Sequence, residues 1–220
     1  MLKKTLMLTA AFGFAATAAL AAPTSSVLSN GAAMTSVTGH GTAGFYRVRT
    51  PKKGLTVLFD SIGTGGYSCC SGWTISGPSS VVGEQIWTAI QVTPTANGSV
   101  KQIAAGIGYV TGNNAAELAI YKDKKGAPGK MVWSADVSDL PDFGSTGTAT
   151  VGASVTHVKL TAGTPIWVSV QTDANSSDTW DAWNESETTD ATLDQNNGSG
   201  WNNYGSNPAG AVTLSGKVKN

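Results

Sequence analysis

Carboxylates and indoles crowd into one stretch of this chain. Between Pro165 and Tyr204 lie Asp173, Asp178, Asp181, Glu185, Glu187, Asp190 and Asp194, half of the fourteen acidic residues, with Trp167, Trp180, Trp183 and Trp201 of the seven tryptophans. Two chemistries suit that mixture. An indole offers a flat apolar face and one N–H donor, so it can stack on the C–H face of a sugar ring while Asp and Asn satisfy the hydroxyls. Carboxylate and amide oxygens are also the hard ligands that calcium takes.

For the first chemistry, Trp180, Trp183, Trp201 and Tyr204 are the candidate ligand-binding residues. If Thr179 to Glu185 is extended, Trp180, Ala182 and Asn184 share one face and Asp181, Trp183 and Glu185 the other. One tryptophan would then enter the core, leaving Trp183 facing solvent among carboxylates. The plainer alternative is that all four aromatics pack inside. For the second chemistry, Asp173, Asp178 and Asp181 are candidate calcium ligands, with Asn175 beside them, and Asp190, Asp194 and Asn196 form a second group. The run Asp173–Asp178 lacks the glycine and terminal glutamate of an EF-hand, and Asp and Asn also serve ordinary turns.

Catalysis finds less support. Asp181 with Glu185 or Glu187 is a nominal glycosidase pair, but nothing in the spacing sets a separation or shifts a pKa. There is no G-x-S-x-G, and the only histidines, His40 and His157, stand apart. The chain is expected to be a non-catalytic binding module, with a structural or adhesive protein lacking a small-molecule pocket as the alternative.

The elements that must hold these residues are strands. Ile166, Val168 and Val170 alternate with Trp167, Ser169 and Gln171; Ile86, Thr88, Ile90 and Val92 alternate with Trp87, Ala89 and Gln91. Val100–Val110 sets Ile103, Ala105, Ile107 and Tyr109 against Ala104, Gly106 and Gly108, small enough for another layer to approach. Leu118 and Ile120 oppose Ala119 and Tyr121 beyond a Thr111–Asn114 turn. No sustained helical period occurs, and strands every ten residues or so, separated by Gly/Pro/Asn turns, predict an all-β fold. The expectation is a single antiparallel β-sandwich or jelly-roll-like domain of nine to eleven strands over residues 45–220.

Residues 1–21 read as a Sec-type signal peptide: Lys3 and Lys4, an apolar run to Leu20, and Ala19-Leu20-Ala21 before the cut. Residues 22–44 read as a flexible leader. Phe45–Lys53, with Arg47, Arg49, Lys52 and Lys53, is either a docking patch for an acidic surface or a charged strand edge. The whole chain has fourteen basic and fourteen acidic residues. Without Lys3 and Lys4 it carries a small negative charge, which gives no electrostatic reason to bind nucleic acid or anionic membrane. The expected partners are a glycan or another surface protein, in a secreted or periplasmic bacterial setting, with no membrane insertion after signal cleavage. The two cysteines, Cys69 and Cys70, are adjacent. They could form a vicinal disulfide, stay as thiols or link to another chain.

From Val92 to Pro141 (VTPTANGSVKQIAAGIGYVTGNNAAELAIYKDKKGAPGKMVWSADVSDLP), and again over Leu160–Asp173 (LTAGTPIWVSVQTD), the chain resembles secreted bacterial β-sandwich domains of the "choice-of-anchor" type. The turn Gly126-Ala127-Pro128-Gly129 and the strand led by Thr161-Ala162-Gly163-Thr164 carry the likeness. The resemblance implies the fold and export, and it supplies no catalytic residues, because the group is mostly of unknown function. A sorting tail is expected in such domains; after Val218 this sequence ends Lys219-Asn220, which favours release or periplasmic retention over anchoring.

Overall fold

Alternating apolar and polar side chains build two layers here. The computed structural model describes residues 22–27, 33–38, 52–63, 66–144, 150–173 and 175–219, and the regular elements among them are all strands. They are β1 (Ala22–Val27), β2 (Ala33–Thr38), β3 (Thr56–Asp60), β4 (Tyr67–Ser76), β5 (Trp87–Val92), β6 (Gly98–Thr111) and β7 (Ala115–Asp123). After these come β8 (Pro128–Ser138), β9 (Thr150–Ser154), β10 (Lys159–Leu160), β11 (Ile166–Gln171), β12 (Trp180–Asn196), β13 (Trp201–Gly210) and β14 (Val212–Val218). The fold is an antiparallel β-sandwich in a single domain. The signal peptide expected over residues 1–21 lies outside the described residues, as do His40, Phe45, Arg47 and Arg49.

The strand order β1-β2-β4-β12-β5-β11-β7-β8 forms the long path, while β3, β14 and β6 make a second ladder with β9 and β10 beside β6. Two long strands join these ladders. The first part of β12 pairs with β4 and β6, and its last residues pair with β5 and β13. β6 likewise pairs with β14 at Gly98–Ala105 and with β12 beyond Ile107. Between the layers sit Leu58, Ile75, Ile90, Ile103, Ile107, Leu118, Ile120, Val168, Val170, Leu193 and Leu214, all fully or almost fully buried. Each contributes about 1.5 to 3 kcal/mol through removal from water.

The small side of β6 does what its composition predicts. A Cβ on Gly106 would stand 2.9 Å from the Tyr67 ring, and one on Gly108 would stand 2.7 Å from Phe143, so both glycines admit an aromatic neighbour. Gly112 sits at a φ of +87° in the β6–β7 turn against the backbone carbonyl of Asp178, where any side chain would collide.

The leader expectation needs correction. β1 and β2 pair as a hairpin, β2 pairs with β4 at Ser36–Thr38, and Met34 packs on the core. The Thr35 N–H donates to Gln195 Oε1 and Gln195 Nε2 donates back to the Thr35 carbonyl, both at 3.0 Å. Backbone pairing of this kind needs no apolar period, so a Ser/Thr/Ala-rich segment can join a sheet without showing one. The fourteen strands among the described residues exceed the nine to eleven expected for the same reason, since β1, β2 and the short β9 and β10 have weak patterns.

Candidate functional site

The sequence places Trp180 and Trp183 on opposite faces of one strand, and the structure agrees on the parity but covers both faces. Trp183 is fully buried in the main core, its indole N–H donating 3.0 Å to the Ala211 carbonyl and its ring lying where a side chain on Gly210 would be. Trp180 is buried with Ala182 against Val82, Val110 and Phe143. The expectation that Trp183 faces solvent is therefore corrected. β12 runs through the middle of the sheet with neighbours on both edges and packed elements on both faces, so its alternation separates two interiors rather than inside from outside.

The proposed calcium ligands do not converge. Asp181 shares the Trp183 face and is fully buried, with neither carboxyl oxygen hydrogen-bonded among the described residues, and burial pushes its pKa well above the usual carboxylate range. Asp173 accepts the Asn175 N–H at 2.6 Å as part of a turn, and Asp178 is exposed in the loop before β12. Among the described residues no group of three or more His, Cys, Asp or Glu is arranged to hold a metal ion. The nominal Asp181–Glu185/Glu187 pair is not assembled either. Asp181 is fully buried, whereas Glu185 and Glu187 line an open polar cavity of about 530 Å³ with Ser68, Ser71, Ser186 and Asp190. There Ser71 Oγ donates to Glu185 Oε2, and burial, opposed by that bond and aided by Glu187, raises the Glu185 pKa.

A disulfide joins Cys69 to Cys70 in β4, directly between two of the serines on that cavity wall. Ser68 Oγ accepts the N–H of Cys70 at 3.3 Å and of Ser71 at 3.1 Å, and its carbonyl accepts Asn184 Nδ2 at 2.7 Å. Opposite lies an irregularity in β12 between Asn184 and Ser186.

The second region is the outer face of β5, β7, β11 and the end of β12. The core side takes Ile90, Leu118, Val168, Val170 and Leu193, so alternation turns Trp87, Ala89 and Gln91, Glu117, Ala119 and Tyr121, Trp167, Ser169 and Gln171, and Asp194 the other way. Register aligns Asp194, Ala89, Ser169 and Ala119 in one cross-strand row, a floor of small side chains. β13 contributes Trp201 opposite Asn196, and Asn203 opposite Asp194.

Trp201 is half-buried and packs on the cluster of Ala89, Ala119, Tyr121 and Trp167, its ring edge-on to Tyr121 at 5.8 Å between centroids. The two residues belong to strands four ladder steps apart, about 19 Å across a flat sheet. Side chains can close such a gap only if the face curls, and the resulting trough is filled: Ala89, Ala119, Trp167, Ser169 and Asp194 are fully buried, with the Trp201 indole laid across the cluster.

Polar groups along the trough are held in fixed positions. Asp123 Oδ1 accepts the Trp167 indole N–H at 2.9 Å and Gln91 Nε2 at 3.2 Å, and these donors hold the Asp123 carboxyl below its ordinary pKa. Tyr121 donates to Gln171 Oε1 at 2.7 Å, and Gln171 Nε2 donates to Glu117. Burial pushes the Tyr121 hydroxyl up to about 12, leaving it a neutral donor. Asp194 is fully buried; its Oδ1 accepts Asn203 Nδ2 at 2.7 Å, and its Oδ2 has no partner among the described residues. Burial first, and Asp123 in smaller part, raise its pKa to about 6 against the Asn203 bond.

Tyr204 is half-buried against the main core, at the register shift of β13, with its hydroxyl raised by burial and by the charges of Glu84 and Asp194. Of the four aromatics singled out from sequence, only Trp201 therefore lies on the trough. Tyr121, Asp123 and Gln171 were missed, and Asp194 was named only as a possible calcium ligand with Asp190 and Asn196, although the clean alternation of their strands could have shown that they share Trp201's side.

Fold and site together describe an antiparallel β-sandwich with an aromatic and carboxylate trough on its outer face. Comparison with protein-family models, curated proteins and solved structures found no match for the chain. Among the described residues no helix is long and apolar enough to cross a membrane.

Proposed function

We propose that this protein is an exported, non-catalytic binding module that takes a carbohydrate in the trough across β5, β7 and β11. The observation that carries the reading is the Trp201 indole lying over a floor of small residues, flanked by oriented acceptors and donors at Asp123, Gln171 and Tyr121. An indole with convergent polar groups suits the apolar face and hydroxyl rim of a sugar. Trp201 is the stacking residue in this reading, while Trp180 and Trp183 become core and Tyr204 packs against it. The Cys69–Cys70 disulfide and the apolar run ending at Ala21 support export to an oxidising compartment.

Affinity gel electrophoresis of the mature protein through gels containing laminarin, xylan, galactomannan or hydroxyethylcellulose tests it. Retardation by at least one polysaccharide, lost in Trp201→Ala, is the expected result. No retardation in any gel overturns the reading. The alternative, an adhesive or structural surface protein, draws on Met131 and Val132, which are 44% and 38% exposed on the terminal strand β8.

A further inference from the structure

We propose that Asp194 is the polar anchor of the trough, its Oδ2 accepting a hydrogen bond from a sugar hydroxyl once the Trp201 indole has turned off the floor. The inference rests on the carbohydrate reading and deepens it by naming the residue that selects a hydroxyl-bearing ligand.

Three independent features meet at Asp194. First, it is a fully buried carboxylate with one oxygen satisfied by Asn203 and the other without a partner among the described residues. A buried acceptor left open is costly to a fold and is a common mark of a functional position. Second, its cross-strand partner is Ala89, a member of the floor on which Trp201 packs, so the open oxygen belongs to the same surface as the indole. Third, Trp201 follows a tight glycine turn at the end of β12. Gly198 and Gly200 stand at φ of +90° and +119°, and their N–H groups are both held by one acceptor, Asn196 Oδ1, at 2.9 and 3.2 Å. Nothing lies within 4 Å of where a side chain on either glycine would be, so no packed neighbour stands on the open side of the turn that carries Trp201. Moving the indole aside uncovers the floor and presents its own face to whatever enters, so one motion supplies both the stacking surface and the acceptor.

The charges around Asp194 set the pH sense of binding. Asp123 on β7 is held ionised by its indole and amide donors; Tyr204 on β13 and Tyr121 on β7 are neutral; Asn203 and Ala89 carry no charge. Glu84 reaches this region through its effect on Tyr204. A hydroxyl donated to Asp194 favours its ionised form. With the free group titrating at about 6, affinity should be constant above pH 7 and fall about tenfold by pH 5, as one proton competes with the ligand.

The experiment measures binding of the best-retained polysaccharide at pH 5.0 and 7.5 for wild type, Asp194→Asn and Trp201→Ala, with folding of each checked by near-UV circular dichroism. The expected result is a roughly tenfold weaker wild type at pH 5.0, a weakened Asp194→Asn with no pH dependence, and no binding by Trp201→Ala. Wild-type binding that ignores pH overturns the anchor role even if Asp194→Asn fails to fold. Binding by Asp194→Asn equal to wild type at pH 7.5, with Trp201→Ala inactive, overturns the anchor and leaves the carbohydrate reading standing. No wild-type binding at either pH overturns both.

Discussion

The Trp201 ring meets the Tyr121 ring edge-on, with centroids 5.8 Å apart and planes at 77°, and this contact closes the trough across β5 and β11. Edge-to-face pairs of this kind add about 0.5 to 1.5 kcal/mol beyond area burial. Because Trp201 is only half-buried, Trp201→Ala should cost about 1 to 3 kcal/mol, below the 3 to 5 kcal/mol of a fully enclosed aromatic. Urea unfolding measures it. A loss near 5 kcal/mol would make Trp201 a core residue and remove the basis for its mobility.

Trp183 should behave differently. It is enclosed by the main core and by Gly210, so Trp183→Ala is expected to cost about 3 to 5 kcal/mol and to leave little folded protein at 37 °C. Trp183→Phe keeps most of the volume but loses the 3.0 Å bond to the Ala211 carbonyl, at about 1 to 2 kcal/mol. A soluble, fully stable Trp183→Ala protein would contradict the buried position.

The contrast between these two tryptophans shows how far the sequence could be read. Alternation correctly separated Ile90 from Ala89 and Val168 from Trp167, and with them the two faces of β5 and β11. It also separated Trp180 from Trp183, yet period alone cannot say that both faces of β12 are covered; that depends on β4, β6 and Phe143 arriving from distant parts of the chain. The burial of Asp194 was equally hidden. Its polar run suggested a calcium ligand or loop chemistry, because its burial arises from residues on β5 and β13 rather than from its own neighbours in sequence.

The Cys69–Cys70 bond should contribute little to global stability. Linking neighbours closes almost no loop, so the unfolded chain is barely constrained. Reduction is expected to lower Tm by no more than about 2 to 4 °C, equivalent to less than about 1 kcal/mol in a domain of this size. Intact-mass analysis should show no alkylation before reduction and two additions afterwards. Two free thiols in the untreated, air-oxidised protein would contradict the bond, and a Tm drop of ten degrees would mean that it organises the β4 wall of the serine and glutamate cavity.

Stability should also rise as the solution is made mildly acidic. Asp194 titrates at about 6 in the folded protein and near 3.9 unfolded, so the folded state holds its proton more tightly. Stability is then lost as pH rises from about 4 through 6. Asp181 and Glu185, both raised by burial, act in the same direction. Urea midpoints at pH 5.0 and 7.5 should therefore favour pH 5.0, and Asp194→Asn should remove part of the difference by gaining stability at pH 7.5 alone. Greater wild-type stability at pH 7.5 would require the carboxylates with lowered pKa, such as Asp123, to outweigh the buried ones. Because Asp181 and Asp194 are fully buried while Asp123 is only half-buried, the buried carboxyls should dominate.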